Sequence, residues 1–304
     1  MKKLLFLLTM VAVVCTSFSC ASTGEGGMNT EVLNKLNKLE SDQVTVYYSN
    51  GSEELGKLQF ERICNITKYY KEQLNVEPHL AVYVLNEKDW DAAGIPLAYG
   101  MPFIDGFTNP HQIVGPATPK GVIVDAVMKY KDVVPQDITD RLASVGMTYK
   151  EAAERYPNMI VYHESGHGFQ FALGFDKVSR WFGEFLASYF LVHFVWENDP
   201  KTAIVFKTMS EATYLDGSKP KYTTLKELEE LYMDGVGMQN YDWYQKQINL
   251  KIYKVHEKYG LDFIKKCIGA FPDRELNSKE TIAILEKLFP GEFADWANDV
   301  TKIN

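Results

Sequence analysis

The residues best suited to chemistry in this 304-residue chain are His163-Glu164-Ser165-Gly166-His167. On a helix, positions i and i+4 lie on one face, so the two imidazoles can grip a single metal ion. Glu164, directly after the first histidine, is then placed to take a proton from a water polarised by that ion. The flanks favour a helix. Met159-Ile160-Val161-Tyr162 precedes the motif, Phe169-Gln170-Phe171-Ala172-Leu173 follows without a proline, and Gly174 stands as a C-terminal stop. The competing reading is a buried helix whose two histidines are merely hydrogen-bonded.

Two histidines do not complete a site, because a catalytic zinc normally has three protein ligands and an open position. Six residues beyond the second histidine stands Leu173, so a third histidine is missing there. Glu184, seventeen residues beyond His167, is the only formal charge between Arg180 and Glu197, in a segment apolar nearly all round. A lone carboxylate in such a helix is costly unless it meets a cation. Zinc would be one, and a lysine, an arginine or a solvent edge are the alternatives. His163, His167 and Glu184 are therefore the predicted Zn2+ ligands. His193 sits nine residues past Glu184, about 180° around the helix, and reads as structural.

The pattern His163-Glu164-x-x-His167 with Glu184 in a Gly-Glu-Phe-Leu-Ala setting resembles the gluzincin metallopeptidases, the group containing thermolysin-like and M1-type enzymes. The resemblance covers roughly residues 150–260. It extends to Tyr244-Gln245-Lys246-Gln247, which is similar to the Tyr-x-Lys-Gly segment whose tyrosine stabilises the oxyanion in M1-type peptidases. It implies Tyr244 as the oxyanion donor, with Tyr241 next. Two departures stand out. The Gly-x-Met-x-Asn segment that holds a substrate amine has no good counterpart, since Gly100-Met101-Pro102-Phe103 lies too far upstream and lacks the acid. Where many gluzincins place an aspartate to orient a histidine, four residues after the ligand glutamate, this chain has Ser188.

These side chains need a scaffold, and the periodicity of the chain supplies one. Val44 to Tyr48 reads as a strand, Glu53 to Leu74 as an amphipathic helix, and His79 to Leu85 as a second strand. Gln112 to Gly115 and Gly121 to Val124 read as two more strands, either of which could bind a peptide edge to edge. From about Asp137 the pattern is helical, with breaks near 174–176, 198–200, 216–217, 235–237 and 289–291. The expected fold class is α+β and zincin-like, with a small sheet in an N-terminal mixed part, a helical C-terminal part, and the zinc site between them. The expected division is a signal at 1–19, a lipidated tether and short helix at 20–40, an α/β part at 41–150, and a zinc-bearing helical part at 151–304.

Lys2, Lys3 and the apolar Leu4 to Val14 form an export signal, and Ser17-Phe18-Ser19-Cys20 resembles a bacterial lipobox. Lipidated Cys20 would anchor the protein in the cell envelope, with the outer membrane the expected location. Loss of the two lysines in 1–19 takes the net charge from −8 to −10, which argues against nucleic-acid binding. The remaining Cys64 and Cys267 are too distant to predict a pairing. The expected activity is zinc-dependent hydrolysis of peptide or protein substrates, Glu164 being the base. The alternatives are a catalytically silent zincin-fold binding lipoprotein and a zinc hydrolase acting on something other than peptides.

Overall fold

The computed structural model describes residues 28–213, 215 and 220–303. The export signal, Cys20, most of the tether and the break at 216–217 fall outside the described residues. The architecture is α+β, with one small mixed sheet followed by a helical part.

The N-terminal part runs α1 (Thr30–Leu33), β1 (Asn37–Glu40), β2 (Val44–Tyr48), α2 (Glu53–Leu74), β3 (Leu80–Leu85), α3 (Glu87–Ala92), β4 (Phe103–Asp105) and β5 (His111–Pro116). The sheet order is β1-β2-β3-β5-β4, parallel in the middle and antiparallel at both edges. Central β3 is buried on both faces, as an apolar run should be. Leu80, Val82 and Val84 face the large core, whereas Ala81, Tyr83 and Leu85 face a smaller cluster around Trp90. Val46, Val82 and Ile113 stand in register across β2, β3 and β5, and all three are fully buried.

The helical part comprises α4 (Val122–Met128), α5 (Gln136–Ser144), α6 (Tyr149–Ala172), α7 (Arg180–Asn198), α8 (Pro200–Glu211), α9 (Leu225–Val236), α10 (Met238–Tyr259), α11 (Asp262–Cys267), α12 (Ser278–Leu288) and α13 (Ala294–Asn298). A reciprocal cap between Thr148 and Glu151 starts α6, and Gly174 (φ 79°) follows its C-cap residue Leu173. The helix reaches back through Pro157, so the proline-free stretch begins only beyond it. Helix α7 is buried without interruption from Trp181 to Val195 and packs on α6, α8, α9 and α10. It is the axis of the helical part.

Three local expectations are corrected. The short helix expected within 20–40 is confined to Thr30–Leu33, because Asn37–Glu40 pairs antiparallel with β2 and Leu39 packs on the core. Pairing outweighs the local propensity there. The strand expected at Gly121–Val124 is the start of α4. Gly121 (φ 106°) lies so close to Tyr99 that an added Cβ would fall 2.2 Å from its carbonyl oxygen, and the turn launches a helix that buries Val124 and Val127. Gln112–Gly115 does lie in a strand, but β5 is interior, and β4 is the free edge on that side. Cys64 and Cys267 are both free thiols.

Candidate metal centre

Helix α6 presents the two histidines and α7 presents Glu184. What lets them meet is Gly166, inside the motif itself. A Cβ at this position would lie 2.2 Å from the Ala187 carbonyl oxygen, so only glycine allows α6 and α7 this close. The approach places Glu184 Oε2 3.4 Å from His163 Nε2 and 4.0 Å from His167 Nε2. Ligand atoms of His163, Glu164 and His167 lie within 4.8 Å of one another. All four side chains are buried, Glu184 at only 5% exposure.

The far side of each imidazole is also held. Gln170 Nε2 donates to the Phe175 carbonyl at 2.9 Å, which turns Gln170 Oε1 towards His167 Nδ1 at 2.8 Å. An amide oxygen only accepts, so Nδ1 carries the proton and Nε2 turns its lone pair towards Glu184. His163 Nδ1 lies 2.9 Å from Ser188 Oγ, so Ser188 sits beside that imidazole on the side away from Glu184.

Glu184 has its own supports. Tyr232 Oη donates to Oε1 at 2.6 Å and Gln245 Nε2 donates to Oε2 at 2.9 Å. Gln245 also donates to Tyr241 Oη at 2.7 Å. Tyr232 reaches inward from a kink in α9, where its backbone (φ 43°, ψ −150°) is outside the helical region. A non-glycine residue there is strained, at a cost on the order of 1–3 kcal/mol.

Tyr244 does not join this group. Its hydroxyl donates to the Thr224 carbonyl at 2.9 Å and not to this cluster, whereas the resemblance implied it as the oxyanion donor. One helical turn earlier, Tyr241 faces the site. Burial and the charges of Glu184 and Glu164 push its hydroxyl well up, so it keeps its proton. His193 points the other way, to Tyr69 and His256.

Burial opposes ionisation throughout the site, and charge decides the outcome residue by residue. Burial pushes Glu164 up to about 7, the Glu184 charge adding to this and His163 opposing it. For Glu184, burial is overcome by the hydrogen bond to His163 and the nearness of both imidazoles, so it stays well below the usual carboxylate range. His163 is raised. Burial works against its protonation, but Glu184 and Glu164 outweigh it. Burial and the neighbouring His163 push His167 down to about 4.

No family model, curated protein or solved structure matches this chain. The donor chemistry of the site is thus what identifies its capacity. Among the described residues, Glu184 pairs with His163 and His167 and with no lysine or arginine. Two imidazole nitrogens and a carboxylate oxygen form a donor set suited to zinc. Bonds of about 2.0–2.1 Å to a tetrahedral ion set donor atoms about 3.3–3.4 Å apart. The 3.4 Å contact already meets this, and the 4.0 Å contact needs a small closure.

Gln170, Tyr232, Gln245 and the packing role of Gly166 were not read from the sequence. Gln170 had a signal, being a lone polar residue three positions after His167 in an apolar run. Tyr232 and Gln245 had none, since only the packing of α9 and α10 on α7 brings them to Glu184.

Proposed function

We propose that this protein is a zinc-dependent peptidase of gluzincin type, working in the bacterial envelope from a lipid anchor at Cys20. The observation that carries the reading is the convergence of both Nε2 atoms on one Glu184 oxygen, with Glu164 buried beside them. Bound zinc would supply the electrostatic pull that makes a water nucleophilic near neutral pH and polarises the scissile carbonyl.

The chain's own residues do the rest. His163, His167 and Glu184 would hold the ion, while Ser188 and Gln170 would keep the imidazoles turned towards it. Glu164, buried beside the two imidazoles, would take a proton from the water at its carboxylate and return it to the leaving amine. Tyr241, protonated and close to both glutamates, replaces Tyr244 as the hydroxyl that meets developing negative charge. Edge strand β4 packs against α6, Gly106 just beyond it fitting closely against Phe171, and offers main-chain groups to an extended peptide.

Glu164→Gln tests this directly. The variant is expected to bind zinc like the parent and to cleave casein about 10²–10⁴-fold more slowly. Undiminished casein cleavage would overturn the mechanism. Zinc binding without cleavage of casein or short peptides by the parent chain would overturn the assignment to peptidases.

A further inference from the structure

We propose that the chain carries a second metal site, formed by His193 and Glu197 of α7 and His256 of α10, which takes a divalent transition-metal ion of the zinc type. His193 Nδ1 and His256 Nε2 face each other at 2.9 Å. Two imidazoles on one tetrahedral zinc hold their nitrogens about 3.3 Å apart, so the nitrogens need to part by a few tenths of an ångström and turn towards the ion, the proton between them moving to His256 Nδ1 or to solvent. Glu197 follows His193 by one helical turn, on the same face of α7. Its carboxylate and the two ring nitrogens lie within 4.8 Å of one another.

The outer contacts suit ligation as well. His193 Nε2 lies 2.9 Å from Tyr69 Oη on α2. With Nε2–H donating to that phenol, the Nδ1 lone pair points at His256, as a metal-binding imidazole fixed by an oxygen partner requires. Both histidines are buried while Glu197 is exposed, so two fixed nitrogens sit below one movable oxygen at a solvent-facing rim. Trp196 walls the rim, its ring 5.8 Å from that of His256. An ion held here ties the C-terminal half of α7 to α10, with Tyr69 linking the cluster to α2. It is a clamp between helices, and it is separate from the ligands on α6.

The full chain, stripped with chelator, dialysed against zinc chloride and freed of loose ion by gel filtration, supplies the test. The parent is expected to retain two zinc ions and to melt at higher temperature when loaded. Glu197→Gln should weaken one of the two by at least about tenfold, and His256→Gln should abolish it. Glu197 is exposed, so its variant stays informative even if His256→Gln folds poorly. His163→Gln should lose the other ion and keep this one. Two ions, both unaffected by Glu197→Gln and His256→Gln, would overturn the proposal, as would a single ion lost only with His163. A single ion lost only with Glu197 or His256 would uphold it and remove the zinc reading of the α6 cluster instead.

Discussion

The two histidine–glutamate clusters share helix α7, and they differ in what holds the carboxylate. Glu184 near the start of α7 is buried and clasped by Tyr232 and Gln245 before any ion arrives. Glu197, near the end of the same helix, is exposed, and the two imidazoles beside it bond to each other. The first arrangement has already met the cost of orienting its ligands, partly through strain at Tyr232. The second must draw in an exposed side chain on binding. Preorganisation of this kind is what the proposed catalytic site needs and the proposed clamp does not.

The strongest way to break the comparison is Gly166→Ala. The new methyl would meet the Ala187 carbonyl at 2.2 Å, so α6 and α7 must part. Overpacking of this sort costs about 3 kcal/mol. Urea denaturation should show that loss, and zinc retention should fall at the α6 cluster while the rim cluster, on α7 and α10, keeps its ion. Parental zinc binding at both clusters would mean that the close helix contact does not set the ligand geometry.

Next in size is the contrast between the two tyrosines. Tyr241→Phe is expected to lower kcat by about 10²–10³ with little change in KM. Tyr244→Phe should leave kcat unchanged and cost about 1 kcal/mol of stability, through loss of its bond to the Thr224 carbonyl. Casein kinetics and melting curves on both variants decide the matter, and the reverse pattern would restore Tyr244 to the site.

That contrast also shows where sequence reading reaches its limit here. The motif helix, its stop at Gly174, the amphipathic α2 and the lone Glu184 were legible because each follows from local spacing or from the cost of an unpaired buried charge. Tyr241 and Tyr244 are three residues apart on one helix, and which of them faces α7 depends on the rotation of α10. That rotation is set by packing partners far away in the chain. The valine-rich start of α4 misled for a related reason. Its run of β-branched residues fits a strand, but the turn at Gly121 launches a helix whose Val124 and Val127 are buried instead.

Ser188→Ala sharpens the comparison more gently. It removes the oxygen beside His163 Nδ1 and is expected to weaken zinc binding at the α6 cluster by about tenfold. Tyr69→Phe should do the same at the rim, where Tyr69 holds His193. Competition titrations against a chelator compare the two. If Ser188→Ala leaves affinity unchanged while Tyr69→Phe lowers it, the buried cluster does not depend on its outer contacts in the way preorganisation requires.

The smallest expected effect comes from a carboxylate that has no imidazole to meet. Burial pushes Asp242, on α10 beside Tyr241, up to about 6, against the opposing charge of Lys129. Between its ordinary value of 3.8 and about 6, the folded chain holds a proton that the unfolded chain has released. Stability therefore falls as pH rises through that window. Glu184 in the metal-free chain has the opposite sign, since the imidazoles hold its pKa down and its contribution is lost on acidification. Asp242→Asn should remove the downward slope and raise stability at pH 7 by on the order of 1–2 kcal/mol, after allowance for its partial exposure. Urea melts of the metal-free chain at pH 4.5 and 7.5 check it. An unchanged slope in the variant would mean that Asp242 is solvated, and that burial on this helix does not by itself move a carboxylate.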